Sequence, residues 1–263
     1  MKKRIISYAV AALLTAVVVA DLLSGGRLVR LPQRADAARE QAAQIGARLR
    51  AAGTAKVTFE ASMNPGGSWA GTSTVRFGDT PVWDTAYTRA TAGSRRIPLR
   101  RLHLQRRDFY SSPALTTADA RPWIPPDRIG FGRLSSPGNN ISDLTTWLPF
   151  LTGAGEQVAP HEYEFRCDGT SAGCPPPLHS DLDSYFNAVP DGPVMRARLD
   201  DEGRLVRLQV TAVLDNIRGD GSRGILVPSD VTATFTLADF GTPVQVVAPA
   251  EADITTTFVS LPG

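Results

Sequence analysis

Three stretches of this chain alternate apolar and polar side chains with a period of two, and that pattern restricts the fold more than any other feature. Val57, Phe59, Ala61 and Met63 alternate with Lys56, Thr58, Glu60 and Ser62. Val206, Leu208, Val210 and Ala212 alternate with Arg207, Gln209 and Thr211, and Val231, Ala233, Phe235 and Leu237 with Thr232, Thr234 and Thr236. Successive side chains of a strand point to opposite faces, so each stretch reads as a strand with one buried face. Turn sequences separate further strands. Asn64-Pro65-Gly66-Gly67 leads into a strand over Trp69 to Phe77, and Gly78-Asp79 into one over Val82 to Thr91. Ile97 to Tyr110 reads as one or two more. Asp200-Asp201-Glu202-Gly203 joins Val194–Leu199 to Leu205–Leu214 as a hairpin. Short connections between successive strands make an antiparallel meander.

One helix precedes the strands. Asp36 is a candidate N-cap, Ala38, Ala42, Ile45 and Leu49 recur at helical spacing, and Gly53 ends the run. The middle of the chain, 111–193, is less regular, with short helices expected over Ile141–Leu151 and Leu178–Val189. The expected fold class is α+β: a strongly curved antiparallel sheet, a half-barrel, wrapped around one long and one or two short helices. Each strand has an apolar face that must be covered. Few helices cannot fill the interior of a large curved sheet, so an apolar cavity is expected. Its lining would come from Ile45, Leu49, Val57, Phe59, Leu208, Val210 and Phe235, each of which plain core packing also explains.

The N-terminus carries an export signal. Lys2, Lys3 and Arg4 precede a largely apolar stretch from Ile5 to Leu23, about 28 Å long as a helix. It reads either as a signal peptide cleaved near Ala20 or as a retained anchor with its N-terminus in the cytoplasm. Residues 1–24 are thus targeting or anchor, 25–35 a linker, and 36–263 one β-rich domain in the cell envelope, outside the cytoplasmic membrane. Cys167 and Cys174 are the only cysteines and lie within one short Gly-containing loop. A structural disulfide is expected, stable in an oxidising compartment and contributing roughly 2.5 kcal/mol. Two thiols alone make no metal site.

Several function classes have no support. A net charge of +2 gives no global reason to bind nucleic acid. His161-Glu162 is not followed by a second His at helical spacing, so the zinc-protease motif is missing. His179, Ser180 and Asp181 lie together without a Gly-x-Ser-x-Gly elbow. No phosphate loop, dinucleotide fingerprint or calcium loop is present, so no catalytic residue, metal or cofactor is expected. The bland reading of His103, beside Leu102 and Leu104, is a surface histidine. The run Arg95, Arg96, Arg100, Arg101, Arg106 and Arg107 reads first as a solvated strand face, and second as a patch for anionic lipid headgroups.

The ending Asp239-Phe240-Gly241-Thr242-Pro243-Val244-Gln245-Val246-Val247-Ala248-Pro249 resembles the closing segment of the LppX/LprG family of actinobacterial lipoproteins. The hairpin Met195-Arg196-Ala197-Arg198-Leu199-Asp200 into Gly203-Arg204-Leu205-Val206-Arg207 is similar to the same family and to the broader LolA-like group. The resemblance covers residues 36 to 250, with its specific part in the last sixty or so. It implies a half-barrel around helices that holds acyl chains or glycolipids, carrying them at a membrane. A non-catalytic sensor or protein-binding module of the same fold is the alternative, its protein partner unknown. This chain departs from the family in lacking the lipidated Cys and in its extra 160–178 region, which puts the mode of anchoring and the shape of the cavity mouth in question. Independently, Gly241, Pro243 and Pro249 read as punctuation of a final edge strand.

Overall fold

A computed structural model describes residues 40–41, 43–64, 67–91, 96–104, 107–115, 117–128, 141–152, 154–166, 193–214 and 229–259. The expected targeting or anchor segment and linker, Cys167, Cys174 and the helix expected over Leu178–Val189 lie outside them. No helix of the described residues is long and apolar enough to cross a membrane.

The described residues form one open antiparallel sheet of ten strands with few helices. The strands are β1 (Thr54–Asn64), β2 (Gly67–Arg76), β3 (Val82–Thr91), β4 (Ile97–Leu104), β5 (Arg107–Ser111), β6 (Ala154–Ala159), β7 (Glu162–Arg166), β8 (Val194–Leu199), β9 (Leu205–Leu214) and β10 (Ser229–Ala238). Their order is β5-β4-β3-β2-β1-β10-β9-β8-β7-β6. Two meanders, β1–β5 and β6–β10, therefore meet where the first strand pairs with the last. That seam is long, running from Lys56 opposite Ala238 to Asn64 opposite Asp230.

The period-two pattern sorts the faces. In β1 the residues Ala55, Val57, Phe59 and Ala61 are buried while Lys56, Thr58 and Glu60 are exposed. In β10 Val231, Ala233, Phe235 and Leu237 are buried. The register lines these residues into rows across the sheet. One row runs Leu99, Tyr87, Gly71, Phe59, Phe235, Leu208, Ala197, Tyr163, through eight successive strands. Gly71 is required in it. A Cβ there would stand 2.5 Å from Tyr87 Cβ and 2.6 Å from Tyr87 Cα, so β2 and β3 approach more closely than any side chain at 71 allows.

Two helical pieces lie over the covered face. Helix α1 is described over 40–41 and 43–52 and buries Ile45 and Leu49 in the main core. Gly53 closes it, its N–H donating to Leu49 and Arg50 carbonyls. Arg48 reaches from α1 to the β8–β9 turn and donates to the Gly203 carbonyl at 3.0 Å. Gly203 has φ 71° and no Cβ to obstruct the Arg48 guanidinium. The second piece is α2 (Leu144–Trp147), continued by a 3-10 turn over Leu148–Thr152. Asp143 caps α2 by accepting from Thr145 N at 2.9 Å. Ile141, Leu144, Trp147, Phe150 and Leu151 from this piece join the main core.

Four expectations are corrected. The middle of the chain is not irregular throughout, since it supplies the β6–β7 hairpin. Leu205, not Val206, joins the covered face of β9. An irregularity at Arg198/Leu199 pairs Leu199 with Leu205 and lets the strand change face there. Residues 242–250 form no strand; Pro243 and Pro249 have no backbone N–H to offer a ladder. His103 is not at the surface. Its ring stacks on Trp83 at 3.9 Å between centroids, and its side chain is only 17% exposed.

Candidate functional site

The covered face is chemically divided. Across β1, β10, β9 and β8 it is hydrocarbon, with Val57, Phe59, Phe235, Leu208, Val210 and Met195 all buried. Across β2 to β5 the next row turns polar: Val57 is opposite Ser73, Ser73 opposite Thr85, Thr85 opposite Arg101, and Arg101 opposite Tyr110. Polar groups placed so deep must be satisfied. Ser73 and Thr85 hydroxyls bond each other at 2.8 Å.

Arg101 is the centre of the polar half. Its Nε and Nη2 donate to the two carboxylate oxygens of Asp108 at 3.0 and 3.2 Å, the forked geometry that suits guanidinium and carboxylate. Its Nη1 reaches Asp143 Oδ2 at 3.5 Å. Asp108 Oδ1 also lies 2.9 Å from His103 Nδ1. Burial pushes the Asp108 carboxyl up, but the hydrogen bonds from His103 and Arg101 and their charge together outweigh it and hold it below the ordinary aspartate value. The Arg101 guanidinium loses solvation in this setting, and the neighbouring acids more than compensate, keeping it charged. Asp143 thus serves twice, capping α2 and tying it to the sheet.

Between α2 and the sheet is a crevice at the boundary of the two halves. Val57, Phe59, Val75 and Phe235 form its apolar side; Tyr87, Thr85 and Arg101 its polar side; Ser142 to Thr145 cross over it. Its volume is about 30 Å³, room for about two water molecules. The Tyr87 hydroxyl is buried with no hydrogen-bond partner. Burial, reinforced by Tyr110, raises its pKa well above the ordinary tyrosine value, so it stays a protonated donor.

Of the residues expected to line a cavity, Val57, Phe59 and Phe235 border this crevice. Ile45, Leu49, Leu208 and Val210 are buried in the same core but do not border it. Sequence reasoning missed Tyr87, Arg101, Asp108 and Asp143. The sequence pattern places Arg101 within a solvated arginine run, and the structure sets it apart from its neighbour Arg100. Arg100 is half exposed and pairs with Asp84 on the other face, while Arg101 turns inward. Strand alternation carries this signal, since 99, 101 and 103 share a face. No group of three or more His, Cys, Asp or Glu arranged to hold a metal occurs among the described residues. The chain matches no protein-family model and no curated protein.

Proposed function

We propose that this protein is an exported envelope protein that binds a lipid, glycolipid or other hydrophobic ligand against the covered face of its sheet, and carries it between membrane sites. The observation that carries this reading is how that face is roofed. Ten strands at about 4.8 Å spacing span roughly 45 Å. Helices are about 10 Å wide, and those packed in the main core are one helix described over 40–41 and 43–52 and a single turn continued as 3-10. Residues on the face are nonetheless buried from Tyr87 on β3 to Phe165 on β7. We read the sheet as bent into a half-barrel about these pieces, and the close approach at Gly71 as one place where it bends.

As packed, the crevice holds no acyl chain. A ligand has to take the place of the 141–151 piece, and the magnitudes allow it. Leu144, Trp147, Phe150 and Leu151 together gain roughly 6–12 kcal/mol from burial. A long acyl chain gains on the order of 12 kcal/mol against water. The two nearly balance, so ligand and roof can exchange without a large net change. Against a bilayer the chain gains little, and loading and release need no energy source. Native mass spectrometry of protein from a bacterial envelope, before and after organic extraction, tests the reading. Bound lipid, or uptake of added lipid, is the expected result. A clean apo mass that added lipid does not change defeats it.

A further inference from the structure

Among the side chains that border the crevice, one donor is left idle by its neighbours. Of the polar side chains bordering the crevice, Ser73 and Thr85 bond each other, the Thr145 hydroxyl donates to Asp143 at 2.7 Å, and Arg101 is held by Asp108 and Asp143. Tyr87 alone is buried and unpartnered among them. It stands at the boundary row, opposite Gly71 and Leu99, with its ring 6.3 Å from that of Phe59. Phe59 in turn faces Phe235 at 6.4 Å. A ligand whose hydrocarbon lay along these rings would bring its polar end to the phenol.

The charges nearby decide what that end can be. Arg101, the guanidinium that borders the crevice, is already forked onto Asp108, and Arg89, on the same face, lies over the Trp69 ring at 5.9 Å, so an anionic group would find both guanidinia already engaged. Arg101 and the phenolic hydrogen oppose a cation. An uncharged acceptor oxygen fits. We propose that Tyr87 is the head-group donor of this protein, and that the sheet wall of the crevice, once the 141–151 piece has given way, seats the ester, carbonyl or ether oxygen of a neutral lipid, with the chain over Phe59 and Phe235. This rests on the reading that the face binds a hydrophobic ligand.

The test uses the full chain and four probes of one chain length: dodecane, methyl laurate, laurate and dodecyltrimethylammonium, measured by equilibrium dialysis. Tyr87→Phe removes one oxygen and keeps the ring; near-ultraviolet circular dichroism checks that it folds. Methyl laurate is expected to bind the native chain more tightly than laurate or the ammonium. Tyr87→Phe is expected to weaken methyl laurate about tenfold, the scale of one hydrogen bond in a site closed to water, and to leave dodecane unchanged. Equal binding of methyl laurate by both chains, as when the phenol is served by a water, overturns the head-group assignment while dodecane binding leaves the broader reading standing. Preference for either charged probe overturns it too. If no probe binds the native chain, dodecane included, both proposals fail.

Discussion

Asp108 has the most to lose at the scale of single residues. It neutralises a guanidinium whose side chain is 12% exposed and orients a stacked imidazole. Replacing it by Asn leaves Arg101 with Asp143 alone at 3.5 Å. Removing one partner of a buried pair costs about 3–5 kcal/mol, and urea denaturation of Asp108→Asn is expected to show a loss of that order. The sign with pH follows from the same group. Its carboxyl is lowered in the folded state, and so is Glu164, through hydrogen bonds from Arg196 and Arg166. Stability from both is present above the ordinary carboxylate values near 4 and is lost as pH falls through their lower folded values. Denaturation midpoints are therefore expected to be level near neutral pH and to fall below about pH 4, and Glu164→Gln is expected to flatten part of that fall. His103 shows why such a group is hard to see beforehand. Leu102 on one side of β4 and His103 on the other are both shielded from solvent, so the polar member of the alternation does not mark an outer face.

At the scale of elements, the legible strands are those whose two faces differ. In β1, β9 and β10 the pattern and flanking turns located the strands and their buried residues, Leu205 excepted. In β7 Tyr163, Glu164 and Phe165 are buried in succession, Glu164 beneath Arg166 and Arg196, and the alternation vanishes with the strand still present. The apolar half of the site was legible as strand pattern. The polar half was not, because a buried arginine and a surface arginine read alike until register brings acids to one of them. Gly71 gives the sharpest element-level prediction. Gly71→Val puts a branched side chain where the β2–β3 backbone already stands, and a loss of at least 2 kcal/mol is expected by thermal or urea unfolding. Asp143→Ala removes both a cap and a tie to the sheet. It is expected to cost about 1–2 kcal/mol and, more tellingly, to speed amide exchange in 144–152 ahead of exchange in β1 and β10.

The whole molecule is held together at its central seam. Phe235 sits there, fully buried, opposite Phe59 and Leu208. Phe235→Ala is expected to cost about 3–5 kcal/mol and to lower the midpoint of a single transition, with circular dichroism and tryptophan fluorescence coinciding, since both meanders contribute to one main core. Nothing local in the sequence announces that seam. The alternation in β1 and in β10 says that each needs neighbours, not that they need one another. That arrangement has a consequence in time. A chain that emerges N-terminus first presents β1 with one edge unsatisfied until residue 229 and beyond have followed, so the half made earliest waits for the half made last. Such long-range pairing folds slowly, and the waiting edge invites association with other chains.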